Sequence, residues 1–332
     1  MVIVGHQKQL QLLQAVKDNG RLGHAYILSG PAKVGKKTVA LQWLSGIFDQ
    51  TLCQGCAHPD FLFIEPLTDP KTGKKSGEIT VDQVRGLIRK LSLKPSISKI
   101  KAAVIDEAHL MNLEAQNALL KTLEEPPGNS LIILIAENSQ RLLETIRSRC
   151  EILQFNFVSE REMQACAGEI ACQNGAKADE AKTKEIVKLS FGRPGRMVEF
   201  IGDENSINKW REDEKEFEKI ARSELPEKFA YVKKITDAEN PEMDLNEIIE
   251  VWQFYFRNLM LESLAGVFPL QDLQRKDPCE LKPQFVFSKT KENPYTPGKI
   301  AAILKKIHEL NVVLMTTNAN PKLAIENFML DL

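Results

Sequence analysis

Two clusters of residues carry the types and spacing that phosphate chemistry needs. The first is Gly30-Pro31-Ala32-Lys33-Val34-Gly35-Lys36-Lys37-Thr38, which follows the apolar run Ala25–Ser29 and precedes an apolar, helix-like pattern. A glycine-rich loop between strand and helix turns backbone amides inward, where they cradle phosphates at the helix N-terminus. Gly30 and Gly35 are the loop glycines, and Lys36 is spaced to reach the β- and γ-phosphates. The next position should supply a hydroxyl for Mg²⁺, but the chain has Lys37. Thr38 comes one residue late, roughly 100° further round a helix, so it should not substitute. The second cluster is Ala103-Val104-Ile105-Asp106-Glu107-Ala108-His109, an apolar strand ending in two carboxylates. In P-loop ATPases an Asp at such a strand end holds Mg²⁺, and the Glu polarises the attacking water. Taken singly, the loop could be a simple turn and the carboxylates a solvated strand end. Asp-Glu-Ala-His also occurs in helicases, but the C-terminal half has no second helicase-like core.

These residues need a parallel sheet whose strand ends converge. Short apolar runs at Ala25–Ser29, Phe61–Ile64, Ala102–Ile105 and Leu131–Ala136 fit strands buried on both faces, and Glu151–Phe155 is a more alternating fifth. Thr80-Val81-Asp82-Gln83 is a capping box opening a helix with Val84, Leu87, Ile88 and Leu91 on one face. Another helix, Leu113–Glu124, stops before Pro126-Pro127. Strands alternating with helices predict an α/β domain with a parallel sheet and right-handed crossovers.

Near residue 158 the pattern becomes helical, starting at a second capping box, Ser159-Glu160-Arg161-Glu162. A charged helical stretch covers Ile207–Lys234, and Ile248–Leu264 reads as an apolar helix. Pro269–Pro294 is a proline-containing connection. Thr296-Pro297 starts a helix to about Met315, and Pro321–Leu332 forms the last. The expected organisation is an α/β P-loop domain at 1–157, a small helical lid at 158–204 and a helical C-terminal domain at 207–332.

Several longer motifs resemble bacterial clamp-loader subunits of the AAA+ class. They are Asp106–Met111, Ala115–Pro127, Thr145-Ile146-Arg147-Ser148-Arg149-Cys150, Gly23-His24-Ala25-Tyr26 and His58-Pro59-Asp60-Phe61. Near the end, Asn318–Asn327 is similar to the closing helix of the clamp-loader collar. The resemblance covers most of residues 1–200 and resumes at the C-terminus. It implies an AAA+ domain, a lid and an oligomerising collar. The implied partners are the other loader subunits (gamma/tau and delta), the sliding clamp and primed DNA reached through the complex. It also implies that Arg149 is a finger extended into a neighbour's ATP site, a task that suits a planar, bidentate guanidinium.

Within that family the chain resembles the non-hydrolysing subunit type more than the ATP-hydrolysing gamma/tau motor. The loop hydroxyl is replaced by Lys37, and Glu137 stands where the motors carry a small hydroxyl residue. Gly192-Arg193-Pro194-Gly195-Arg196 is also closer to the non-motor lid. Asp106 and Glu107 remain, which leaves ATP or ADP binding without hydrolysis open. A working motor with Lys36, Asp106 and Glu107 catalytic is the alternative, and an unrelated AAA+ remodelling factor is a third reading.

The family usually carries four cysteines before His-Pro-Asp as a zinc site. Here only Cys53 and Cys56 precede His58, too few for a closed four-ligand shell, so zinc is not expected. Six irregularly spaced cysteines do not form a disulfide framework, and no run approaches the ~20 apolar residues of a membrane span. The expectation is a reduced, cytoplasmic protein. A net charge of −1 offers no global field for DNA, so DNA contact must be local or made by a larger assembly.

Overall fold

The computed structural model describes residues 3–20, 22–52, 58–67, 77–173, 180–236, 245–265, 295–316 and 319–332. Cys53 and Cys56, and the connection Pro269–Pro294, lie outside them. The chain divides into two units, Met1–Asp203 and Glu204–Leu332.

The first unit is built on five parallel strands: β1 (Ala25–Ser29), β2 (Phe61–Ile64), β3 (Lys101–Ile105), β4 (Ser130–Ala136) and β5 (Glu151–Gln154). Their order is β2-β3-β4-β1-β5. Every residue of β1, β3 and β4 is buried, as their largely apolar sequences require. β5 lies at an edge and is mostly exposed, which suits its alternating sequence. Because side chains alternate across a strand, Ala25 and Ile27 join one apolar layer while Tyr26 and Leu28 join the other.

The first layer packs against α3 (Val81–Leu91) and α4 (Leu113–Glu124). The second packs against α1 (Gln7–Asp18) and α2 (Lys36–Phe48). Gln83 Oε1 accepts the Thr80 N–H at 3.0 Å, closing the back half of the expected capping box. A four-residue helix, α5 (Glu144–Arg147), leads into β5. Three more helices complete the unit: α6 (Glu160–Gln173), α7 (Glu180–Ser190) and α8 (Pro194–Gly202). α6 opens on the second capping box, with Glu162 N donating to Ser159 Oγ and Ser159 N to Glu162 Oε2.

The His-Pro-Asp-Phe motif has a structural task here. Asp60 is fully buried, and its carboxylate accepts the backbone N–H groups of Ser96, Ile97 and Ser98 at 2.7–2.8 Å. Its own N–H donates to His58 Nδ1. Asp60 thus ties the start of β2 to the loop that leads into β3. Burial alone would raise its pKa, but the three N–H donors outweigh it and hold the carboxyl at about 2, below the usual 3.8. A depressed folded-state pKa gives stability that is present above the unfolded value and lost as pH falls toward 2. Asp60→Asn should therefore destabilise the first unit by about 2–3 kcal/mol at neutral pH and flatten the loss of stability between about pH 4 and 2. Urea unfolding at several pH values checks both; unchanged midpoints would refute the assigned task.

Among its described residues the second unit has helices but no strand: α9 (Glu204–Ala221), α10 (Leu225–Thr236), α11 (Leu245–Ala265), α12 (Pro297–Thr316) and α13 (Pro321–Met329). The charged stretch read as one run, Ile207–Lys234, is two helices separated by residues 222–224. Pro226 has no N–H to give a preceding carbonyl, so it sits in the first turn of a new helix. At the core, Trp252 is sandwiched between Phe217 and Phe328, with ring centroids 5.0 and 5.5 Å away. Among the described residues no helix is long and apolar enough to cross a membrane.

Candidate phosphate-loop site

The strand order decides which residues meet. β4 lies between β1 and β3, so the loop after β1, the carboxylates after β3 and Glu137 after β4 converge at one sheet edge. This is the carboxyl edge where open α/β sheets hold ligands.

The loop itself is tightly packed. A Cβ on Gly30 would lie 2.2 Å from the Phe155 carbonyl oxygen, so only glycine fits. Gly35, at φ 104°, caps α2 in a conformation that glycine adopts without strain. Lys36 is buried, and its Nζ donates to the carbonyls of Gly30 and Pro31, both at 2.6 Å. Burial pushes its ammonium down to about 8, opposed by the nearby Glu137 and Asp106 carboxylates. His6 Nε2 lies 2.9 Å from the Val34 carbonyl, which ties the segment before α1 to the loop.

Lys37 turns toward the strand ends. Its Nζ lies 3.1 Å from Asp106 Oδ2 and 3.4 Å from Glu65 Oε2, and 4.7 Å from the centre of the Phe63 ring. Asp106 is nearly buried, and its other oxygen accepts the Glu107 N–H at 3.0 Å. Glu107, at φ 53°, caps the short turn Ala108–Leu110. Thr38 is half-buried one residue further along α2, and Lys37 is the residue that reaches Asp106. A divalent metal does not fit this arrangement: an ammonium already lies against the carboxylate that would hold it, and the adjoining hydroxyl is missing.

Sequence reading singled out Asp106 and missed Glu65. The signal was available, since Glu65 directly follows an apolar strand run, but its relevance depends on the register Ile64↔Ile105. Glu137 sits beside His109, whose Nδ1 is 3.4 Å from the Glu137 amide nitrogen. Burial first, then Arg141 and Lys36, push the His109 imidazole down to about 4, so it is neutral at physiological pH.

The helical part of this unit also touches the loop. Gly195 N donates to the Lys33 carbonyl at 2.7 Å, and a Cβ there would lie 2.8 Å from that oxygen. Lys33 pairs with Glu199 at 2.7 Å. Arg193 caps α8 and stacks its guanidinium over Phe157, and Arg196 is buried. The sequence marked Gly192–Arg196 as a motif without revealing this contact.

Arg149 contacts the end of α4 and α5. Its Nη2 donates to Glu124 Oε1 at 2.7 Å and its Nη1 to the Thr145 carbonyl at 2.9 Å. About a third of the side chain is exposed (35%), so a further partner can reach it. Among the described residues no group of three or more His, Cys, Asp or Glu side chains is arranged to hold a metal ion. Cys150, Cys166 and Cys172 are free thiols.

Residues 5–159 match the family described as DNA polymerase III, delta subunit. The chain is similar to the DNA polymerase III subunit delta' of Pseudomonas aeruginosa, 37% identical over 141 residues, covering 38% of this chain and 41% of that protein. It is also similar to the DNA polymerase III subunit gamma of Buchnera aphidicola subsp. Schizaphis graminum, 31% identical over 204 residues, 57% of this chain and 54% of that protein. The matched region thus spans about half the length of these relatives or less. A solved gamma-subunit-related protein from Thermotoga maritima overlays 96% of this chain and 97% of its own with a TM-score of 0.43 at 18% identity.

Proposed function

We propose, from the relationship of residues 5–159 to the DNA polymerase III clamp-loader subunits, that this chain acts as a delta-prime-type subunit. In this reading it is an AAA+ component that joins gamma/tau and delta subunits, helps load the sliding clamp onto primed DNA and does not hydrolyse ATP itself. The observation that carries the non-hydrolysing part is the Lys37 ammonium 3.1 Å from Asp106 Oδ2, where a motor would need Mg²⁺. Glu137 supports it, being an acidic side chain on the strand end facing the phosphate loop. In the assembled loader, Arg149 would serve a neighbour's site.

A second reading, a gamma/tau-type motor, draws on the longer similarity to a gamma subunit and on the retained Asp106 and Glu107. One assay separates the two. The isolated chain should turn over ATP at least about 10²-fold more slowly than a gamma/tau subunit assayed beside it, since losing one charge-stabilising group costs about that much. Motor-like turnover would favour the second reading. Copurification with gamma/tau and delta tests loader membership itself.

A further inference from the structure

We infer that Lys37 is a tethered cation that takes the place of a divalent metal at the Asp106 and Glu65 strand ends and keeps such metals out. Three observations converge on it. The register of β2 on β3 brings Glu65 and Asp106 to adjacent strand ends, and both carboxylates approach the same nitrogen, at 3.4 and 3.1 Å. The Lys37 ammonium lies over the Phe63 ring, 4.7 Å from its centre, so the charge is positioned rather than loose. Asp106 has its second oxygen occupied by the Glu107 amide, which leaves Oδ2, the oxygen facing Lys37, as the one turned to a cation.

A divalent ion at this place would have to sit within a few ångströms of the Lys37 ammonium, and it would lack the hydroxyl that normally completes its shell. Like charges at that separation repel strongly where solvent is partly excluded. The ammonium offsets one of the two carboxylate charges without demanding octahedral coordination. The inference rests on reading residues 30–38 as a phosphate loop and is independent of assembly with other subunits.

The test uses the full chain and Mn²⁺ as the probe, with bound ion counted by electron paramagnetic resonance. Wild type should show no saturable site. Lys37→Thr, which removes the charge and restores a hydroxyl beside Asp106, should bind one Mn²⁺ at least about tenfold more tightly than wild type, as relief of a like-charge contact predicts. Adding Asp106→Asn to that variant should abolish the gain. Lys37→Met keeps a long unbranched side chain without the charge and should show an intermediate gain, which preserves the test if Lys37→Thr unfolds. The inference is overturned if wild type binds Mn²⁺ as tightly as the variants, if neither variant gains affinity, or if the gain survives Asp106→Asn. Failure here would leave the loader assignment standing, because copurification decides that separately.

Discussion

A loader reconstituted with Arg149→Ala should assemble normally and hydrolyse ATP more slowly. Arg149 is partly exposed and its pair with Glu124 is on the surface, so losing it costs only about 0–1 kcal/mol of stability. The functional effect is expected in trans. An arginine finger is worth about 10³–10⁵ in rate in related phosphoryl-transfer systems, so on the proposed role for Arg149 a neighbour's site should fall by about that factor. On that role total turnover should fall partially, since other sites would keep their own fingers, and clamp loading should fall further if the sites fire together. Arg149→Lys should rescue poorly, since a point charge cannot reproduce two parallel hydrogen bonds to phosphate oxygens. Glu124→Gln is the informative control. It weakens the same ion pair while keeping the guanidinium, and should leave hydrolysis near wild type. Equal behaviour of Arg149→Ala, Glu124→Gln and wild type, with full assembly, would reduce Arg149 to a surface residue.

Truncation after Asp203 should leave a folded protein that no longer joins the other subunits. The first unit carries its own apolar layers on both faces of its sheet, built from residues before position 160. The second unit has a separate core around Trp252. It also leaves large apolar side chains exposed, including Leu261 on α11, Val312 on α12 and Leu323 and Leu330 at the C-terminal end. Burying a large aliphatic side chain contributes about 1.5–3 kcal/mol, so losing two or three such contacts weakens association by at least about 10²-fold. Size-exclusion chromatography with gamma/tau and delta measures this directly. Undiminished assembly of the truncated chain would show that the helices after Asp203 are not the collar.

The boundaries of the strands were legible because each is short, apolar and bracketed by turn residues. Ala25–Ser29 and Phe61–Ile64 match residue for residue, and the other runs are within one residue at either end. Leu113–Glu124 was legible because the chemistry of its ends is local: Asn112 caps it and Pro126-Pro127 follow it. The break between α9 and α10 was not foreseen, because charge and periodicity continue through it and only Pro226 marks it. α1 was missed as an element, since it is polar and buries only Leu13 fully.

For the site, sequence by itself determined the composition of the phosphate loop: its glycines, Lys36, the missing hydroxyl and the carboxylates after a strand. Local spacing sets these, and loop geometry depends on neighbours in the chain. What only the tertiary structure decided is who meets whom. Placing β4 between β1 and β3 brings Glu137 to the loop, and the β2–β3 register brings Glu65 to Asp106 so that both converge on Lys37. It likewise brings Gly195 against Lys33. Strand order and register are fixed by which apolar faces pack together across the whole domain, over separations of tens to more than a hundred residues, and short-range pattern carries no record of that choice.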